Sequence, residues 1–288
     1  MPYVYLILSV FMYAASSVFG KIFNKDNDQK KDSATFYNFL LMMSVFIGWG
    51  ILYATDFSFD ANVLWYSVLF AIAYVSCNIG IICALKYGPA MLTSLFISLS
   101  LIVTTFWGFI FWDAKVTLTV VIGLVLVVCS IVLCLYSKEK DEKKFSWKWL
   151  FYVALGLFGN AGCSIVQRTQ QVAYNGEHGN MLMVFATGFC ALAYLVIYLF
   201  SDKTDTPTML KTSWWMPVVA GLCSLILNVA VMLMALTDLS PSLIYPVIGV
   251  GGLAVVTVFS LFMFKEKMRW WQWLGVAIGA VSVLLLSL

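Results

Sequence analysis

The sequence predicts an all-α integral membrane protein, with ten transmembrane helices arranged as two inverted five-helix repeats. Three observations carry that expectation. Of the 288 residues, 62% are hydrophobic and only 11% charged, with a mean hydropathy of +0.93, whereas soluble domains carry about 25% charged residues. The apolar residues gather into ten runs, at 2–23, 34–54, 62–85, 89–111, 116–136, 148–169, 180–200, 214–236, 241–263 and 270–288. Each is near the ~20 residues that cross a hydrocarbon core of roughly 30 Å. The last five runs also repeat features of the first five in the same order.

The first run, Pro2 to Phe23, is too long for a signal-peptide core and lacks a basic leader, so it is expected to be a first span. Lys25 to Asp32 forms an aqueous connection to the second. Connections 3–4 and 8–9 are short, around Lys86-Tyr87-Gly88 and Thr237 to Ser240, which predicts tight helical hairpins. A charged segment near the middle divides the chain into residues 1–137, a linker at 138–147, and residues 148–288.

Shifts of 147 to 152 superpose the halves. Pro89 falls on Pro241, Thr105 on Thr257, Lys115 on Lys267, Gly123 on Gly275 and Ser130 on Ser282. Likewise Ser17 falls on Ser164, Trp65 on Trp215 and Asn78 on Asn228. Five is an odd number of spans, so a duplicated unit inserts the opposite way up. Odd-numbered connections hold 15 of the 17 Lys and Arg residues, leaving Lys115 and Arg168 elsewhere. The positive-inside rule then places those connections in the cytoplasm and both termini outside.

The ninth run, Pro241 to Met263, starts at a proline, which suits a first helical turn. Pro246 and then Gly249, Gly251 and Gly252 interrupt its apolar sequence. Irregular backbone is tolerated in a bilayer only beside protein or a water-filled cavity. This span is therefore expected to line a solute path, with those four residues as its hinge.

Polar residues inside spans mark the remaining candidates, because each costs free energy unless paired. Asn160, Ser164, Gln167 and Gln171 share one face of the sixth span, at i, i+4, i+7 and i+11. Tyr13 and Ser17 occupy the matching face of the first. Tyr74 and Asn78 lie one turn apart on the third, as do Ser224 and Asn228 on the eighth. Ser98 on the fourth and Tyr245 on the ninth complete the set. Serines and asparagines also join helices to each other at about 0.6 kcal/mol per bond. An amide has four hydrogen-bonding positions, however, and is hard to satisfy by helix packing alone.

Absences narrow the chemistry. No Asp, Glu, Lys, Arg or His lies near the middle of a span, and His178 is the only histidine. This argues against enzyme, metal and cofactor chemistry. It also disfavours coupling through a buried carboxylate. The net charge of +3, with its basic residues in connections, implies no nucleic-acid partner. All seven cysteines fall in apolar runs and read as packing residues. Trp147, Trp149, Trp214, Trp215, Trp270, Trp271 and Trp273 sit at run ends, where interface anchors are expected. Gly275 and Gly279 form a close-packing motif. Spans five and ten are nearly pure aliphatic, which suits the lipid periphery or a homodimer contact.

The segments Ala84 to Ala90 and Ala235 to Ser242 resemble the drug/metabolite transporter superfamily, in its EamA type. So does the ending Phe264-Lys265-Glu266-Lys267 followed by Trp273-Leu274-Gly275. The first-half copy of that ending has Asp113 where the family often has Glu. The external termini favoured by the charge count depart from many relatives.

The resemblance implies a central cavity lined by spans 1, 3, 4, 6, 8 and 9, with the halves alternating access. The expected function is secondary transport of a small polar metabolite such as an amino acid, outward across a bacterial plasma membrane. Alternatives are uptake of a quaternary amine such as choline on aromatic faces, or a scaffold that moves no solute.

Overall fold

The computed structural model describes residues 2–27, 30, 32–87, 93, 96, 97, 99–112, 117–135, 146–235, 237, 239, 241–263 and 269–286. Among them are eleven helices and no strand. These are α1 (Pro2–Asp26), α2 (Ser33–Thr55), α3 (Val63–Tyr87), α4 (Ser100–Phe111), α5 (Leu118–Leu135), α6 (Trp147–Ala173), α7 (Gly179–Leu199), α8 (Thr206–Thr212), α9 (Trp215–Ala235), α10 (Pro241–Met263) and α11 (Trp270–Leu286). Six of them, α1, α2, α3, α6, α7 and α9, are long and apolar enough to cross a membrane. Shorter apolar helices occupy the fourth, fifth and ninth runs. The short α8 was not expected from hydropathy. Its proline in the first turn is a standard helix start. Met209 on α8 is buried with Phe23, Phe36 and Met216 at the ends of α1, α2 and α9.

The chain forms two compact units, and each draws helices from both halves of the sequence. The first comprises residues 1–71 and 167–236; the second comprises residues 72–166 and 237–288. In the first unit α1 packs along α9, and α2 packs along both α7 and α9. Ser16 and Ser224 pair their hydroxyls at 3.0 Å across the α1–α9 contact. In the second unit α5 packs along α11, while α10 touches α4, α5 and α11. There α3 crosses α6 at very short range. A methyl group placed on Gly80 would stand 2.5 Å from the Gly156 backbone nitrogen. One placed on Gly159 would stand 2.7 Å from the Ala73 carbonyl oxygen and the Cys77 nitrogen.

Connections meet in a consistent way. In the first unit the Asp202 amide donates to the Asp32 carboxylate at 2.6 Å, joining connections 7–8 and 1–2. His178 Nδ1 and Ser58 Oγ lie 2.9 Å apart, joining connections 6–7 and 2–3. In this unit these odd-numbered connections thus meet each other, as do these even-numbered ones, as when its helices cross one common slab.

One sequence expectation changes. Trp149 is not an interface anchor: it is 1% exposed and packs with Ala84, Val153 and Phe96. Its indole N–H donates to Thr93 Oγ1 at 2.9 Å. Trp147, two residues earlier and on the opposite side of the helix, is 80% exposed. The close-packing motif of α11 is filled from within the chain. Ser130 Oγ donates to the Gly275 carbonyl at 2.7 Å, and Val250 and Ser130 crowd the Gly279 position. Ser130→Ala is expected to lower stability in detergent by about 0.6 kcal/mol, read as a small drop in thermal unfolding midpoint.

Candidate functional site

The polar candidates are distributed over both units. In the second unit α6 presents Asn160 and Ser164 one turn apart. Asn160 Nδ2 donates to Ser100 Oγ on α4 at 2.7 Å. The Tyr245 hydroxyl on α10 donates to the Ser164 carbonyl at 3.4 Å. On α3, Asn78 Nδ2 donates to the Tyr74 carbonyl at 3.0 Å. This group thus joins α4, α6 and α10 through polar contacts, with the α3 amide bonded back to its own helix. Ser98 lies outside the described residues.

In the first unit Asn228 Nδ2 donates to the Ser224 carbonyl at 2.8 Å. This is the same i−4 back-bond that Asn78 makes, at the matching place in the other half. Each amide thereby spends one donor on its own helix, and its carbonyl oxygen is left as an acceptor. Ser17 Oγ donates to the Tyr13 carbonyl at 2.9 Å, and Tyr13 is 40% exposed.

Gln167, at the same unit's end of α6, is 6% exposed, and its amide nitrogen has no hydrogen-bond partner among the described residues. Gln170 and Gln171, buried beside it in sequence, are satisfied. Gln170 Nε2 donates to the Glu177 carbonyl at 2.8 Å, and Gln171 Nε2 donates to Gln170 Oε1 at 2.7 Å. The sequence reading missed Gln170, because it lies one residue off the selected face. A cluster of glutamines near the end of an apolar helix was the available signal.

The connection after α6 is held tightly. Asn175, Gly176 and His178 all take left-handed backbone angles, with φ of 49°, 86° and 58°. The Gly176 amide donates to the Gln171 carbonyl at 2.8 Å. Tyr174 stands edge-on to both Tyr66 and His178. Desolvation, then the Asp60 carboxylate and Tyr66, hold its phenol above the ordinary tyrosine value.

The expected hinge residues Pro246, Gly249, Gly251 and Gly252 all lie within α10, which is α-helical from Pro241 to Met263. Gly252 is buried, while Gly249 and Gly251 are half-buried. No group of three or more His, Cys, Asp or Glu able to hold a metal occurs among the described residues. Cys77, Cys83, Cys129, Cys163, Cys190 and Cys223 are free thiols. The candidate residues are neutral hydrogen-bond donors and acceptors.

Residues 1–136 match the EamA-like transporter family. No curated protein matches the sequence. Solved structures do match, 29 chains in all. One is a crystal structure covering 99% of this chain and 98% of its own, with a TM-score of 0.72 at 12% identity, a likeness of fold alone.

Proposed function

From the match of residues 1–136 to the EamA-like transporter family, we propose that the chain is a member of that family and a secondary transporter. It exports a small polar metabolite such as an amino acid across a bacterial plasma membrane, by alternating access of two inverted repeats. The repeats are residues 1–137 and 148–288.

Helix pairing supports the duplication. Exchanging the halves turns span n into span n+5. The contact of spans one and eight (α1 and α9) then becomes that of spans six and three (α6 and α3), and both are close crossings. Spans two and seven, and spans five and ten, meet their own counterparts.

The observation that carries the functional reading is the pair of amides Asn78 and Asn228. They sit at equivalent places, are back-bonded alike, and keep hydrogen-bonding capacity in spans without mid-span charges. Such groups hold a neutral or zwitterionic polar solute without the desolvation cost of a buried ion. Pro246 and the three glycines serve as the flexible part of α10.

Flux of a pooled metabolite mixture from proteoliposomes tests this. Asn160→Ala and Asn228→Ala are each expected to cut flux about tenfold, the effect of losing roughly one substrate hydrogen bond. Their unfolding midpoints should stay close to that of the parent protein. If both variants transport normally while folded, neither amide binds the solute. A complete absence of flux in the parent protein points to a scaffold.

A further inference from the structure

Gly179, the first residue of α7, brings the ends of α6 and α9 together in the first unit. A methyl group there would stand 2.7 Å from Gln171 Nε2 and would collide with the end of the Met232 side chain. Gln171 on α6 and Met232 on α9 therefore meet over one glycine. Both helices follow odd-numbered connections, so both run the same way across the slab. One turn earlier on each helix lie Gln167 and Asn228, which places them at one level. The antiparallel α1 adds to this level. Its Ser16 pairs with Ser224, one turn below Asn228, so Tyr13 lies beside Asn228 in depth.

The two amides at this level have complementary unfilled capacity. Gln167 contributes a buried N–H donor without a partner among the described residues. Asn228 has spent a donor on Ser224 and retains its Oδ1 acceptor. A donor left unpaired at this depth costs about 1–3 kcal/mol, which an oxygen atom of a bound solute would recover.

We propose that Gln167 Nε2 is the donor that receives a carboxylate or carbonyl oxygen of the transported solute, with Asn228 Oδ1 accepting an N–H from the same molecule. This rests on the transport reading above and narrows its substrate class to small solutes carrying both groups, amino acids and their amides among them. A quaternary amine has no oxygen for Gln167 and no N–H for Asn228. A site built on a buried donor rejects an analogue that leaves the donor unpaired.

Two variants and two readouts decide the matter. Gln167→Leu removes the donor; Gln167→Glu keeps the shape but presents a carboxyl oxygen where the N–H stood. Thermal shift in detergent and proteoliposome flux are measured with neutral amino acids, their amides, propylamine and choline. Stabilisation of the parent protein by acids or amides is expected, with apparent affinity reduced about ten- to hundredfold in both variants. Propylamine and choline should give no shift.

Equal binding in the parent protein and Gln167→Leu, with a higher unfolding midpoint in the variant, would show that the donor merely holds water and would overturn the proposal. Stabilisation by choline or propylamine but not by the acids would also overturn it, as would the absence of any shift. Binding lost in both variants, in a protein without flux, would keep this niche and remove the transport reading. Flux indifferent to both variants would do the reverse.

Discussion

Gly80→Ala is expected to destabilise the protein by about 1–3 kcal/mol, the usual cost of forcing extra volume into a packed contact. Gly80→Leu should prevent recovery of folded protein. The obstacle is backbone: the added carbon would meet the Gly156 nitrogen at 2.5 Å, and the Gly156 Cα and the Tyr152 carbonyl oxygen at 2.8 Å. Main-chain atoms cannot swing aside as a flexible side chain can, so α3 and α6 must separate along their crossing. Gly50→Ala is the control, because nothing lies within 4 Å of a methyl group there. In that position removing a helical glycine should be neutral or gain about 0.5–1 kcal/mol. Thermal unfolding in detergent reads both. Equal midpoints for Gly80→Ala and Gly50→Ala would mean that the crossing is wider than described.

Trp149→Ala should cost about 3–5 kcal/mol, the range for emptying a fully buried aromatic site. Trp149→Phe retains most of the apolar contact with Val153 and Phe96 but loses the bond to Thr93. Its cost should be nearer to about 1 kcal/mol. Trp147→Ala, at an exposed position on the same turn, should change stability little. The unfolding midpoint is expected to be lowest for Trp149→Ala, intermediate for Trp149→Phe and highest for Trp147→Ala. A Trp147→Ala variant as unstable as Trp149→Ala would contradict the packing.

Much of the architecture was legible because the bilayer imposes length. The run at 241–263 coincides with α10, and the run at 180–200 differs from α7 by one residue at each end. Proline and charge mark those boundaries as strongly as apolar content does. Facing was harder to read. A helix in lipid is apolar all round, so periodicity does not separate Trp147 from Trp149 or reveal which neighbour each helix meets. The α3–α6 crossing did leave a trace in the stripe Gly156, Gly159 and Gly162 at i, i+3 and i+6, which permits a close backbone approach. The α8 helix was hidden because seven residues are too few for a hydropathy window. Within the site, the face holding Asn160, Ser164 and Gln167 was readable from spacing. That Gln171 would be satisfied by Gln170 while Gln167 stayed unpaired depends on how the connection after α6 folds back, which spacing does not encode.

The pairing of α1 with α9 has a consequence for how the chain is made. Ser16 and Ser224, which join them, lie 208 positions apart. At a synthesis rate of roughly 5–20 residues per second, α1 waits about 10–40 s for its neighbour to emerge. The α5–α11 contact, bridged from Ser130 to Gly275 across 145 positions, imposes a similar delay. During that interval the early helices stand in the membrane with the serine of α1 and the serine of α5 unmatched. Insertion and assembly are therefore separate events for this protein. The newborn first half is a bundle in waiting, exposed to wrong neighbours and to membrane quality control until the second half arrives.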